Sequence, residues 1–303
     1  MEVTGPAPVQ RRGAVVVLAP DEEAGAATAT PLRDLAPCRI FTDVHKCAQH
    51  LAAEDRKLQA QCAEHERIVD EWRTRGTPLV PQILQHWALQ AGSAPAGLLL
   101  VDTETAQHAA EILPRLHQWS GSRLLVSREP ADPVAAEPLA NRLVDEHLHK
   151  SAVDYLTRLR ERVLDACCSA PRRMQQAWAS TLEADQLALL GSPDVAQDLQ
   201  FYCRLNFRES ILVGHPFGIV GITRSETLAF VQLAPVSRLE AMASTASGLG
   251  WGSATCADIR AGRVLLDADL EQSMGHDASR ASPAEAFSLG SSGTLLAAVR
   301  RLL

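Results

Sequence analysis

The segment Gly97-Leu98-Leu99-Leu100-Val101-Asp102-Thr103-Glu104-Thr105 does most to narrow the folds open to this chain. Its branched apolar residues run straight into a carboxylate. A short apolar run opened by Gly and closed by polar residues reads as a parallel strand buried on both faces. In a doubly wound sheet, side chains at the carboxyl ends of the strands face the ligand crevice. Asp102 therefore stands where chemistry would sit. Ala14 to Ala19 repeats the pattern and runs into Pro20-Asp21-Glu22-Glu23, while Arg123 to Ser127 and Glu146 to Lys150 end on Ser127 and Lys150. Cys38 to Thr42 reads as one further strand.

Helical patterns fill the gaps. A short helix is expected within 24–36. A long one is expected over about 44–75, with Leu51, Leu58, Cys62 and Val69 at helical spacing. Leu79 to Gln90, Ala106 to Trp119 and 131–144 read as three more. Strand and helix alternating five times predict an α/β fold: a five-stranded parallel sheet, doubly wound, with helices on both faces. Ser151 is a plausible N-cap for a long helix that runs towards Thr181. Beyond a break near Leu190-Gly191-Ser192-Pro193, residues 211–234 read as β around the turn Gly214-His215-Pro216-Phe217-Gly218. Pro235 to Ala246 reads as helix, and Gly262 to Leu266 as a strand. The expected organisation is a loose tail over 1–13 and an α/β domain over 14–182 with a helical insertion at about 52–96. A second, smaller α/β or α+β domain follows over 190–303.

Composition limits the function classes. The 303 residues carry 29 basic against 36 acidic side chains, a net charge of -7, which argues against a chain whose main task is gripping a phosphate backbone. No apolar run approaches the roughly 20 residues a membrane span needs, and the first residues lack a basic-then-apolar leader pattern, so a cytoplasmic protein is expected. The seven cysteines are irregularly spaced with no CxxC pair, which disfavours a zinc cage. Neither a Gly-x-Ser-x-Gly elbow nor a phosphate-cradling Gly-rich loop occurs, and the chain is expected not to be an enzyme. His147 and His149 alternate on one strand and share a face, where a solvated pair outweighs a metal site. Trp72 and Trp87, read as exposed, would suit a dimerisation surface on the long helical stretch.

Asp21, Asp102, Ser127 and Lys150 together supply the functions that phosphoryl transfer to a carboxylate requires. One carboxylate attacks and another holds a divalent cation, while a hydroxyl and an ammonium engage the phosphoryl oxygens. Here the sequence resembles the receiver domains of bacterial two-component response regulators. By that resemblance Asp102 is the phospho-acceptor, Asp21 with Glu22 supplies the metal-binding acids for Mg²⁺ together with Asp102, Ser127 is the switch hydroxyl and Lys150 the lysine after the fifth strand. His147 falls in the place of the aromatic switch residue. The block from Trp72 to Trp87 looks like the insertion of a proteobacterial subgroup that includes Legionella-type regulators linked to α-hydroxyketone quorum sensing. The segment Ile211 to Leu239 is similar to that subgroup's output region.

The resemblance implies a histidine kinase or phosphotransfer protein as donor and a homodimer as the responding form, with DNA binding left open. The sequence also departs from the family pattern. Pro20 stands at one of the two usual acid positions, Thr103-Glu104-Thr105-Ala106 follows the acceptor, and Arg128 follows Ser127. These departures keep a second reading beside the first: a pseudo-receiver that signals through protein contacts without phosphorylation.

Overall fold

The computed structural model describes residues 9–90, 94–103, 112–116, 119–128 and 143–302. The expected helices over 106–119 and 131–144, and Glu104, fall largely or wholly outside them. The described chain divides into two compact units, one of residues 11–61 and 92–169, the other of residues 1–10, 62–91 and 170–303.

The first unit is the expected parallel sheet. Its strands are β1 (Ala14–Leu18), β2 (Cys38–Phe41), β3 (Ala96–Thr103), β4 (Ser122–Ser127) and β5 (Glu146–His149), in the spatial order β2-β1-β3-β4-β5. All pairings are parallel. The order reverses between β1 and β3, and that is the switch point at which doubly wound sheets open a crevice. Helix α1 (Glu22–Ala29) follows β1. Two helices, α2 (Val44–Arg75) and α3 (Leu79–Leu89), lie in sequence between β2 and β3, and α4 (Tyr155–Cys168) follows β5.

The central strands carry unbroken apolar runs, Val15–Leu18, Leu98–Val101 and Leu124–Val126, because both faces are covered. Val15, Val17, Leu98, Leu100, Leu124 and Val126 pack with Ala29, Leu32, Leu159 and Val163 from the α1 and α4 side. Val16, Leu18, Leu99, Val101 and Leu125 pack on the other side with Cys47, Leu51, Leu113 and Trp119. Strand alternation then puts Asp102 on the same face as Leu98 and Leu100, towards α1 and α4.

The second unit contains a seven-stranded sheet. From one edge its order is Val9–Gln10, β6 (Phe207–Gly214), β7 (Phe217–Thr223), β8 (Leu228–Pro235), β11 (Leu295–Arg301), β10 (Pro283–Leu289) and β9 (Val264–Leu266). Every pairing is antiparallel. One face is covered by α5 (Arg172–Ala179), α3 and the end of α2. There Cys62, Ile68, Val69, Leu79, Val80, Ile83, Trp87, Met174 and Trp178 meet Ile211, Val213, Val220 and Phe230. Val195 and Leu199 of α7 (Pro193–Asn206), which follows the short helix α6 (Ala184–Leu190), cover part of the other face against Leu212, Val231 and Leu295.

Several expectations change. The insertion was assigned to the α/β domain, yet its apolar stripe packs on the antiparallel sheet, so from Cys62 to residue 91 it belongs to the second unit. Trp72 and Trp87 are not an exposed pair: Trp87 is buried in this core and Trp72 packs against it. The boundary falls at 169/170 rather than at 182–192, because Pro171 ends the preceding helix and α5 turns its Met174 and Trp178 into the second core. Within the expected tail, residues 9 and 10 pair with Ile211 and Ser210 as an edge strand. Ser151 caps nothing, since α4 starts at Tyr155. All seven cysteines are free thiols.

A buried imidazole sits inside the second core. His65 on α2 accepts a hydrogen bond at Nδ1 from Trp178 Nε1 at 2.7 Å and meets the edge of His86, ring centroids 4.8 Å apart. Burial, helped by the nearby His86, pushes the His65 pKa down to about 3. The folded state therefore holds His65 neutral, while the unfolded chain takes up its proton near pH 6.5. Its contribution is complete above pH 6.5 and is lost as pH falls from there towards 3. A pH series of chemical denaturation is expected to show stability falling by up to about 1.4 kcal/mol per pH unit in that window, with a visibly shallower slope in His65→Gln.

Candidate functional site

The site is built at the carboxyl ends of β3, β4 and β5. Asp102 is the penultimate residue of β3 and only 4% exposed. A carboxylate at that depth needs compensation, because desolvation of an unpaired charge costs several kcal/mol. Lys150, just past β5, supplies it: Nζ lies 2.7 Å from Asp102 Oδ2. The Lys150 backbone N–H extends the β4–β5 ladder by donating to Ser127 O at 2.9 Å, which fixes where the side chain starts. Thr28 completes the group. Its hydroxyl donates to Asp102 Oδ2, and Lys150 Nζ donates to Thr28 Oγ1 at 3.4 Å. One carboxylate oxygen is thus held by an ammonium and a hydroxyl, and those two donors are linked to each other.

Sequence reasoning missed Thr28. It is the one polar member of an apolar stripe on α1 and its continuation, Gly25, Thr28, Ala29 and Leu32, all buried. That i, i+3, i+4, i+7 spacing marks the face turned to the sheet, and a hydroxyl on such a face needs a partner. Tyr155, at the start of α4, is also near: burial and then the charge on Asp102 push its phenol pKa up to about 12.

Ser127 lies in β4 opposite Thr103 of β3 and His149 of β5. It is 1% exposed, and its hydroxyl is hydrogen-bonded to His147 Nε2 at 2.8 Å. The two histidine rings share a face as expected, with centroids 4.3 Å apart. Burial, then the neighbouring His149, pushes His147 down to about 4, so it is neutral at pH 7. Ser127 and Lys150 are therefore joined through the backbone, while the Ser127 side chain engages His147.

The first-strand acids take a different part. Asp21 is the N-cap of α1: it is exposed, has extended backbone, and its Oδ1 accepts from Ala24 N at 2.7 Å. Glu22 and Glu23 are exposed in the first helical turn, where carboxylates complement the helix dipole. Ala19 and Pro20 occupy the strand exit, and their side chains carry no ligating atom. Among the described residues no cluster of three His, Cys, Asp or Glu side chains could hold a metal ion. In this arrangement Asp102 Oδ2 is held by an ammonium and Asp21 Oδ1 by the α1 cap.

No protein-family model matches the sequence, and no curated protein matches it. Solved structures do. The structure of the Legionella pneumophila response regulator LqsR is similar over 100% of this chain and 91% of its own, at 12% identity and a TM-score of 0.53. At that identity the likeness carries the fold: a receiver-like parallel unit joined to a second domain. A de novo designed Rossmann 2x3 protein matches at 13% identity over 53% of this chain and 95% of its own, with a TM-score of 0.29, too slight to add detail. No described helix is long and apolar enough to cross a membrane.

The clasp makes a stability prediction. Lys150→Met leaves Asp102 buried with one hydroxyl donor, and urea denaturation is expected to show a loss of about 3–5 kcal/mol. Adding Asp102→Asn to that variant is expected to restore a substantial part, because the orphaned charge is gone.

Proposed function

We propose that the protein is a response-regulator-like signalling protein whose receiver-like unit works without stable phosphorylation of Asp102 and signals through protein contacts. The observation that carries this is the use made of the carboxylates. Asp102 Oδ2 is shared by Lys150 and Thr28, and Asp21 caps α1. Phosphoryl transfer to a carboxylate needs a divalent cation to offset charge between donor and acceptor, and the two carboxylates that would hold one are engaged by Lys150 and by the α1 cap. What remains is a buried, linked set of polar groups tying β3 to α1 and to the segment after β5. Such a set has few ways to rearrange, and it holds the surface formed by those elements in one state.

A second reading keeps Asp102 as the phospho-acceptor, with a histidine kinase or phosphotransfer protein as donor. The juxtaposition of Asp102, Lys150 and Ser127 at three neighbouring strand ends supports it. In that case Lys150 would swing from the carboxylate to the phosphoryl group, and Ser127 would leave His147 to meet it.

The two readings part in one experiment. The full chain is incubated with acetyl phosphate and Mg²⁺, and separately with beryllofluoride and Mg²⁺, and followed by intact-mass spectrometry and by ¹⁹F NMR. The expected outcome is no adduct and no bound fluoride signal. A phosphoryl adduct that disappears in Asp102→Asn would establish the second reading instead.

A further inference from the structure

Strand β5 closes one edge of the parallel sheet. Its Leu148 packs on the α1 and α4 side, so strand alternation turns His147 and His149 to the opposite face, beside Leu125 of β4. Asp102 faces α1 and α4, so the clasp and the two imidazoles lie on opposite faces of one sheet. Both histidines are partly exposed. Their rings stand 4.3 Å apart centroid to centroid, with 54° between the planes.

Imidazole is a favoured ligand of zinc and copper ions, and this pair can be compared with what one ion requires. With metal–nitrogen bonds of about 2.0–2.1 Å, two imidazoles on one ion stand about 4.5–5.2 Å apart, for bond angles between a right angle and tetrahedral. The observed 4.3 Å lies just short of the lower figure. A small turn about χ2, a soft torsion in histidine, closes the difference. The tilt matters as much as the distance. A nitrogen lone pair lies in its ring plane, so two parallel stacked rings cannot aim at one point, whereas planes inclined by 54° can.

His147 is also anchored from behind. Its Nε2 is hydrogen-bonded at 2.8 Å to the hydroxyl of Ser127, which is 1% exposed. With Nε2–H donated to that oxygen, Nδ1 carries the lone pair. A hydrogen bond from the second ring nitrogen is the usual device that fixes the tautomer and orientation of a metal-binding histidine. Among the described residues no further His, Cys, Asp or Glu joins the pair to make a set of three. An ion held here therefore keeps positions for water, as open sites do and closed structural cages do not.

We propose that His147 and His149 chelate a divalent transition-metal ion of the zinc and copper class at the edge of the parallel unit. The site shares no ligand with Asp102 or Asp21, so the proposal stands or falls apart from the reading given above.

Calorimetric titration of the full chain with Zn²⁺ tests it, in excess Mg²⁺ so that sites built from carboxylate oxygens are already filled. One saturable Zn²⁺ site per chain is expected. His149→Gln and His147→Gln are each expected to weaken it on the order of 100-fold, the upper end of what the loss of a mere outer-shell partner costs. His147→Gln also takes the partner from buried Ser127 and could disturb the strand, so the partly exposed His149 carries the decision. His276→Gln is the control: that ring is exposed and paired with Glu271 at 2.8 Å in the other unit, and its loss is expected to leave the affinity unchanged. Absence of saturable Zn²⁺ binding at millimolar concentration, undiminished affinity in His149→Gln, or loss of the site in His276→Gln would overturn the proposal.

Discussion

The ion pair between Lys150 and Asp102 is the constraint around which the parallel unit is arranged. A carboxylate 4% exposed at the end of a buried strand is tolerable only with a cation on it. That cation has to come from the next strand but one, so β3, β4 and β5 must be in register for Nζ to reach 2.7 Å. Thr28 adds the demand that α1 present one specific position to the sheet. The Asp21 cap and the buried Gly25, where a Cβ would stand 2.5 Å from Ile40 Cγ2, set the start of that helix and its closeness to β2. Each element is thus placed by the requirement to satisfy one buried charge.

The polar groups at these strand ends are largely engaged by one another. The carboxylates near these strand ends are engaged within the fold or turned to solvent. Asp21 satisfies a backbone N–H at a helix start, Glu22 and Glu23 face solvent, and Asp102 is neutralised internally. Ser127, which would need to be available to an incoming group, is hydrogen-bonded to a neutral His147 whose proton affinity has been reduced by burial. The polar groups from which phosphoryl transfer was expected are hydrogen-bonded within the fold.

Much of this was legible in the sequence, for physical reasons that also mark where reading stopped. The strands at Val15–Leu18 and Leu98–Val101 announced themselves because burial on two faces forces unbroken apolar runs. Helix α2 was legible because its buried positions, from Cys47 and Leu51 through Leu58 and Cys62 to Val69, keep a 3.6-residue period across 32 residues. Periodicity says that a stripe is buried and leaves open against what. The insertion that carries Cys62, Ile68, Leu79 and Trp87 was therefore placed with the α/β domain, and Trp72 and Trp87 were read as exposed. The cap role of Asp21 was not legible for a different reason, because an acid just before a helix is the same residue type whether it caps or ligates. Thr28 stayed invisible since a single polar side chain in an apolar stripe shows its role only when its partner is seen in three dimensions.

The central claim is that Lys150, and not a divalent cation, neutralises Asp102. The most direct measurement is a crystal structure of the full chain grown in saturating magnesium, read at the carboxylate of Asp102. The account predicts Lys150 Nζ on Oδ2 with no cation within coordination distance of Asp102 or Asp21. A magnesium ion bridging Asp102 to the segment between β1 and α1, with Lys150 displaced, would contradict it.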